Sequence, residues 1–170
     1  DIVRHYRVSP NKISVIYPGM DEGFYPVDDA AAARAFRMRK GLPEHIILFV
    51  GTIEPRKNLV RLLQAFAMLR PSGNLPHHLV IGGGKGWMYE QVFATVQELG
   101  LGDRVRFVGF IPQEELADWL RAADLFVYPS LFEGFGLPPL EALACGTPVI
   151  VSDISSLPEV VGEAALKVDP

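Results

Sequence analysis

Two hydrophobic periods alternate along most of the chain. Continuous apolar runs, which are typical of strands buried on both faces, cover residues 45–51, 78–81, 104–108, 125–128 and 148–151. Between these runs, apolar residues recur at the three- and four-residue spacing of a helix. The pattern predicts helices over residues 30–40, 59–69, 88–99, 114–123, 137–145 and 157–161.

This alternation predicts an α/β fold. Strands that are joined by helices through short connections pair in parallel by right-handed crossovers. The expected architecture is a doubly wound parallel sheet of the Rossmann-like kind. Ligands bind beyond the carboxyl ends of the strands in such sheets, so the loops after Val50, Ile81, Val108 and Tyr128 are the candidate site.

Local signals refine the boundaries of these elements. Asn58 is a plausible N-cap for the helix over residues 59–69. Gly100 and Gly146 lie just past two helical stripes and are expected to end them. Residues 13–17 are apolar and β-prone, and a Pro-Gly pair follows them.

Composition is that of a soluble globular protein. The chain has 170 residues, is 49% hydrophobic and carries a formal net charge of −4, so a nucleic-acid partner is not suggested. Its single cysteine, Cys145, excludes an intrachain disulfide, and its apolar neighbours favour a buried, inert thiol. No apolar run approaches the roughly 20 residues of a membrane-spanning helix, and we expect a cytoplasmic setting.

The two ends predict that this chain is one domain of a longer protein. It begins without a methionine and stops just after an apolar stretch. Residues 1–28 look like a lead-in segment, and we interpret residues 29–170 as one domain.

Three of the candidate loops carry weak signals for a phosphorylated ligand. Residues 51–58, GTIEPRKN, place the cations Arg56 and Lys57 before a helix, where amide groups favour an anion. Residues 82–87, GGGKGW, contain glycines that let the backbone approach a ligand closely. Residues 109–113 place apolar side chains beside a turn, where they could flank a nucleobase. Taken singly, a solvated turn, a flexible turn and a core-anchored loop explain them better.

The fourth loop is more informative. Residues 133–141, EGFGLPPLE, set two glycines before a helix whose next residues, Pro138 and Pro139, have no N–H group. The amides available to an anion are therefore those of Phe135, Gly136 and Leu137. Carboxylates on both sides suit a phosphate that carries hydroxyl-rich groups at both ends, as a nucleotide sugar does. An acidic helix start stabilised by the helix dipole explains Glu133 but not the glycines.

The segment EGFGLPPLE resembles the Glu-x7-Glu motif of family 4 glycosyltransferases, a large retaining group with the GT-B fold. The similarity extends over nearly the whole chain. The matching segments are VIYPGMD at residues 15–21, the loop at 51–58, ADLFVYPS at 123–130, GTPVIVSD at 146–153 and LPEVVG at 157–162. The chain is thereby identified as similar to the family's C-terminal donor-binding domain. The resemblance implies that residues 1–28 are an interdomain lead-in segment and that residues 29–170 are the nucleotide-sugar-binding domain. It also implies that an N-terminal acceptor domain is absent from this chain, and that any attachment to the inner membrane would come through that missing part.

The resemblance implies a role for each matching residue. Glu133 would contact the sugar hydroxyls, and the amides of Phe135, Gly136 and Leu137 would bind sugar and diphosphate. Lys57, with Arg56, would stabilise the departing diphosphate. The remaining ligand contacts would come from Gly51 and Thr52 in the phosphate loop, Gly83 in the next loop, Glu141 on the ribose, and Ile111 and Gln113 at the base.

The implied reaction is retaining transfer of a sugar to an acceptor hydroxyl. Many relatives carry arginine where this chain has Thr52, so charge neutralisation would rest on Lys57 and Arg56. The loop at residues 51–58, together with Gly86 and Trp87, resembles a mannosyltransferase-like branch, and GDP-mannose is the expected donor. The family needs no divalent metal, the chain has no Asp-x-Asp motif, and no cofactor is expected.

Other functions on the same fold stay open. A nucleotide-sugar epimerase would share the diphosphate site but would need its own acid and base. A degenerate, non-catalytic module would keep the fold without sugar-nucleotide binding. A receiver-like domain is disfavoured because Thr52, Arg56 and Lys57 occupy a strand end where it needs an acidic cluster.

Overall fold

The computed structural model of the protein describes residues 2–27, 29–69 and 75–170, and those residues form a six-stranded, all-parallel sheet. The strands are β1 Ile46–Val50, β2 His78–Gly82, β3 Val105–Gly109, β4 Leu125–Tyr128, β5 Val149–Ser152 and β6 Leu166–Val168. Their order across the sheet is β3-β2-β1-β4-β5-β6. The prediction of a doubly wound α/β fold is confirmed.

In the described part of the chain, two α-helices precede the first strand, one follows each of the first five strands, and most of these helices pack in two groups. They are α1 Ile2–Tyr6, α2 Ala30–Arg39, α3 Leu59–Met68, α4 Glu90–Glu98, α5 Gln113–Arg121, α6 Leu137–Ala144 and α7 Leu157–Val161. Helix α3 contacts α4, whereas α2, α5, α6 and α7 form a second contacting series. Among the described residues, no helix has both the length and the apolar character needed to cross a bilayer.

Burial follows the hydrophobic pattern. The central strand β1 has Ile46, Leu48 and Phe49 fully buried, as expected for a strand covered on both faces. Helix α3 buries Leu59, Leu63 and Phe66, which recur at helical spacing, in the core. Each such side chain contributes about 1.5–3 kcal/mol to stability when removed from water. Packing of these stripes therefore holds the helices on the sheet.

The sequence pattern and the structure differ near both ends of the chain. Residues 13–17 form no strand, because they lie beside no strand in the described part of the chain with which they could pair. The side chains of Val15 and Ile16 are exposed. The pattern also missed β6, Leu166–Val168, which is a short edge strand whose Leu166 is exposed. A three-residue segment with one exposed apolar side chain gives too little periodicity to be recognised.

Asn58 occupies the N-cap position of α3, as predicted, but it does not cap the helix through its side chain. Its backbone is left-handed, with φ 57°, and no side-chain capping hydrogen bond forms. Asn58 instead ends the 3-10 turn Pro55–Lys57 by donating its N–H to the carbonyl oxygen of Pro55 at 3.0 Å. Asparagine tolerates this conformation better than most residues. The turn places Lys57 just before α3.

The predicted lead-in lies against the rest of the protein. Arg121 of α5 donates hydrogen bonds to the carbonyl oxygens of Gly23 at 2.9 Å and Tyr25 at 3.1 Å. Phe24 between them is buried. Asp28, the predicted end of the lead-in, lies outside the described residues. The division into a lead-in and a domain stays a prediction.

Glycines allow three of the candidate loops to touch. The N–H of Gly51 donates to the carbonyl oxygen of Gly82 at 2.9 Å, and that of Gly83 donates to Gly109 at 2.7 Å. A Cβ on Gly83 would lie 1.9 Å from the Gly51 carbonyl oxygen, and one on Gly82 would lie 2.4 Å from Cδ1 of Ile111. Close packing between the loops therefore explains why residues 82 and 83 are both glycine.

Replacing Gly83 by alanine tests this packing. We expect Gly83→Ala to lower the free energy of unfolding by about 3 kcal/mol or more, because it adds a clash and a strained backbone, φ +140°, at once. The control is Gly84→Ala, since a Cβ there meets open space, and its cost should stay below about 1 kcal/mol. Urea denaturation of both variants measures the difference. Equal losses would contradict the packing account.

Candidate functional site

The candidate site lies where β1 and β4 are neighbours in the sheet. The sheet order reverses here, because β1 leads to β2 on one side and β4 leads to β5 on the other. The connections that leave the two strands diverge, which opens a crevice at their carboxyl ends. The loops after Val50 and Tyr128 border this crevice. A hydrogen bond from the N–H of Leu131 to the carbonyl oxygen of Arg56, at 2.8 Å, joins them.

Lys57 is a buried ammonium group at this point. Its Nζ lies 2.6 Å from Oε1 of Glu133 and 2.5 Å from the Tyr128 hydroxyl oxygen. A buried charge is stable only when it is paired and hydrogen-bonded, and these two partners meet that need. An ammonium has three donors, so one N–H is without a partner within the described residues and could bind a ligand.

Arg56 fastens the two loops together. Its guanidinium lies 2.8 Å from Oε2 of Glu133 and donates to the Phe132 carbonyl oxygen at 2.7 Å. It also pairs with Glu54 at 2.6 Å. The two cations, Arg56 and Lys57, therefore face two carboxylates, and the formal charges of this cluster cancel. An arriving diphosphate would need further positive potential from backbone amides.

Glu133 is held in its ionised form. Burial alone would raise the pKa of its carboxyl group, but the hydrogen bond and charge of Lys57, helped by Arg56, outweigh burial and lower that pKa. Burial and the Glu133 charge raise the pKa of Tyr128, so its phenol stays neutral. A carboxylate has about four lone-pair sites, and the two cations leave part of that capacity for hydroxyl donors.

The segment after Glu133 presents unpaired amides. Gly136 has φ +121° and precedes α6 without a side-chain cap, and Pro138 and Pro139 contribute no donors. Within the residues that the structure describes, no protein acceptor binds the N–H groups of residues 134–137. Such amides at a helix start, together with the helix dipole, favour an anion.

Two serines from the loop after β5 fix the shape of this segment. Ser155 Oγ accepts the N–H of Glu133 at 3.1 Å, and Ser156 Oγ donates to the Phe135 carbonyl oxygen at 2.6 Å. A Cβ on Gly136 would lie 2.7 Å from Cδ2 of Leu157. The amides are therefore held in place before any ligand arrives.

Glu141 lies one turn inside α6 and is half-buried. Burial raises the pKa of its carboxyl group, and the charge of Asp21 in the predicted lead-in raises it further. No hydrogen bond or ion pair to this carboxyl group forms within residues 2–27, 29–69 and 75–170. Its oxygens are thus available as acceptors for a ligand.

The remaining predicted residues follow the carboxyl ends of β1, β2 and β3. Gly51 and Thr52 follow β1, and Thr52 is exposed, whereas Gly83 follows β2. Ile111 is buried, and its side chain would contact a Cβ added at Gly82. Gln113 is the exposed first residue of α5. The structure brings these residues to the same end of the sheet as Glu133. Among the predicted site residues, all of which lie in the described part of the chain, only Lys57 and Arg56 pair with the Glu133 carboxylate.

Sequence reasoning missed three contributors. Tyr128 was treated only as the end of a strand, and Ser155 and Ser156 were not considered. Both serines follow β5, whose carboxyl end lies at the same edge as the other strands. Extending the strand-end rule to this fifth loop would have found them.

Comparison with known sequences places this site in a family context. The sequence model described as "Glycosyl transferases group 1" matches residues 34–168. The chain is 35% identical to O-antigen chain mannosyltransferase B of Escherichia coli, covering 100% of the chain and 45% of that protein. It is 42% identical to D-inositol 3-phosphate glycosyltransferase of Streptomyces scabiei, covering 95% and 38% respectively. The chain spans less than half the length of these curated relatives.

Solved structures share the fold. Sucrose-phosphate synthase from Thermosynechococcus elongatus superimposes with a TM-score of 0.73 at 38% identity, over 88% of this chain and 37% of that one. The C-terminal domain of a Francisella tularensis group 1 glycosyl transferase gives 0.75 at 28% identity, over 89% and 80%. Anabaena HepE, solved with UDP and glucose, gives 0.81 over 92% and 43%. Its 24% identity shows a common fold alone.

The lowered pKa of Glu133 predicts how stability depends on pH. Because its folded-state pKa lies below the ordinary value of 4.5, its ionised form stabilises the fold above that pH, and this stabilisation is lost as the pH falls through the folded-state pKa. Glu133→Gln should therefore be less stable than wild type at neutral pH, and the gap should narrow below pH 4.5.

Urea denaturation across this pH range measures the gap. The control is Glu98→Gln, at the exposed end of α4, which should track wild type at every pH. A Glu133→Gln gap that stays constant down to strongly acidic pH would contradict an ionic role for Glu133.

Proposed function

Because the chain belongs to the group 1 glycosyl transferases, we propose that it binds a nucleotide-diphosphate sugar in the crevice between the β1 and β4 loops. In the full-length protein this domain would supply the donor for retaining transfer to an acceptor hydroxyl. The observation that carries the proposal is the ion pair between buried Lys57 and part-buried Glu133, at 2.6 Å. It lies directly before residues 134–137, whose N–H groups have no protein acceptor among the described residues. An ammonium group and amides in one crevice suit a diphosphate.

The diphosphate is assigned to Lys57 and the amides of residues 135–137. After bonding Glu133 and Tyr128, Lys57 has one N–H with no partner in the part of the chain that the structure describes. The carboxylates of Glu54 and Glu133 balance the two cations of the cluster, so the amides and the dipole of α6 supply the remaining attraction. Thr52 adds no charge where many relatives have arginine.

The sugar is assigned to Glu133. Its two oxygens each hold one cation and keep acceptor capacity for sugar hydroxyl groups. In this arrangement Glu133 positions the sugar and is not a nucleophile. Its ion pair with Lys57 would couple the position of the sugar to that of the leaving phosphate.

The nucleoside is assigned to Glu141, Ile111 and Gln113. Glu141 has no other hydrogen-bond partner in the described residues, and a carboxylate accepts both hydroxyls of a ribose. Gly83 follows β2, and Ile111 and Gln113 follow β3, so all three lie on the β2 and β3 side of the crevice. This direction suits a base that extends away from α6.

Transfer requires that negative charge on the departing nucleoside diphosphate be stabilised. Lys57 and the fixed amides can do this without reorganising, since Ser155 and Ser156 already hold the loop. We propose GDP-mannose as the donor and no divalent metal in the reaction. The similarity to the E. coli mannosyltransferase supports the sugar. The acceptor would bind in an N-terminal domain outside this chain.

Calorimetry with Glu141→Gln tests the donor site. We expect wild type to bind GDP-mannose and GDP, and we expect the variant to bind both about 10-fold or more weakly, because hydrogen bonds to charged groups are worth about 1.5–3 kcal/mol. Both ligands should lose affinity equally, since the ribose is common to them. The matched control, Glu98→Gln, should bind like wild type.

The comparison between ligands separates the possible outcomes. Preference for UDP-sugars over GDP-mannose would overturn the donor but keep the site. Wild-type affinity in Glu141→Gln would overturn the ribose role. No binding of any sugar nucleotide would favour the degenerate, non-catalytic module over an enzyme.

A further inference from the structure

A second cluster of polar side chains lies at the amino ends of the strands, at the end of the sheet opposite the donor crevice. His77, His45 and Asp124 are the residues immediately before β2, β1 and β4, which are neighbours in that order. Strand pairing therefore brings one side chain from each amino end to the same place. A five-residue strand such as β1, at about 3.3 Å per residue, puts this cluster about 16 Å from the donor crevice.

The three side chains approach one another without hydrogen bonding. His45 Nδ1 and His77 Nε2 each lie 3.6 Å from Oδ2 of Asp124, which is longer than the 2.7–3.2 Å of a good hydrogen bond. One ligand atom from each residue lies within 4.8 Å of the others. Ligand atoms about 2.0–2.2 Å from a tetrahedral zinc ion lie about 3.3 Å apart, so a small contraction would complete three coordination bonds.

We propose that His45, His77 and Asp124 form a zinc site. The ligands are His45 Nδ1, His77 Nε2 and one Asp124 carboxylate oxygen, with water in the fourth position. Two neutral imidazoles and one carboxylate suit a first-row transition ion better than Mg²⁺ or Ca²⁺, which prefer oxygen ligands. The side chains of His45 and Asp124 are 44% and 34% exposed, so an ion can enter from solvent.

Neighbouring groups orient the Asp124 carboxylate, although one of them is positively charged. Oδ2 of Asp124 accepts the N–H of Ile46 at 2.8 Å, which fixes the carboxylate orientation, as partners around a metal site commonly do. Arg37 lies 3.9 Å from the other oxygen and donates to the Ala122 carbonyl oxygen at 2.7 Å. Its positive charge opposes a cation and should weaken the site without blocking the atoms that face the imidazoles.

Zinc at this position would link three adjacent strands at their amino ends. Because the ligand atoms come together only in the folded sheet, the ion binds the folded state in preference to the unfolded chain and stabilises it by mass action. The role is structural and lies apart from the sugar-nucleotide crevice. The zinc site uses none of the residues assigned to the donor, so the two proposals can be tested separately.

The four histidines of the chain provide matched variants. His45→Gln and His77→Gln remove one ligand each, whereas His5→Gln and His78→Gln change histidines outside the cluster. Calorimetry with Zn²⁺ should show one ion per wild-type chain, and Zn²⁺ should raise its Tm. We expect each ligand variant to bind at least tenfold more weakly and to lose the Tm rise, and both controls to keep them.

Cobalt provides a second readout, because Co²⁺ bound by two imidazoles in the same site should give visible absorption that each ligand variant loses. Absence of Zn²⁺ binding by wild type, or equal binding by all variants, would overturn the proposal. If His77→Gln fails to fold, the more exposed His45 still decides the result. GDP-mannose affinity should be the same with and without Zn²⁺, so failure of one site is distinguishable from failure of the other.

Discussion

The ion pair between Lys57 and Glu133 is the interaction on which the site depends. It joins the loops after β1 and β4 across 76 residues of sequence. Removing one member of a buried pair leaves an uncompensated charge, at a cost of about 3–5 kcal/mol, so the two loops are bound to a common geometry. The 3-10 turn at Pro55–Lys57 and the left-handed Asn58 bring the ammonium group to this position.

The rest of the crevice is built by close contact between loops. Gly83 lets the β2 loop lie against the Gly51 carbonyl group, and the serines after β5 hold the segment that follows Glu133. The protein therefore presents its hydrogen-bond donors in fixed positions, which would lower the reorganisation needed when charge develops on the leaving group of the proposed transfer. With the ionised side chains balanced, amides determine how strongly the crevice attracts an anion.

The fold was largely predictable because its strands are continuous apolar runs and its helices are periodic. Glu133, Lys57 and Glu141 were also identifiable as candidates, since loops at strand ends carry function in such sheets. Their pairing was not predictable, because it depends on which strands are neighbours. β1 lies beside both β2 and β4, and no local pattern around Lys57 or Glu133 records this.

Asn58 shows a related limit, because the sequence suggested a side-chain cap where its backbone conformation was needed. The edge strand at Leu166 was missed because it is short and exposed.

In the proposed function, the amides following Glu133 and the ammonium group of Lys57 form a diphosphate site whose geometry is fixed before the ligand binds. Titration of the isotopically labelled protein with GDP, followed by the amide resonances in NMR spectra, tests it directly. We predict that the largest shifts occur at residues 134–137 and 51–52, with the amide resonances of Ser155 and Ser156 moving less. Shifts concentrated elsewhere in the chain, with residues 134–137 unchanged at saturation, would contradict it.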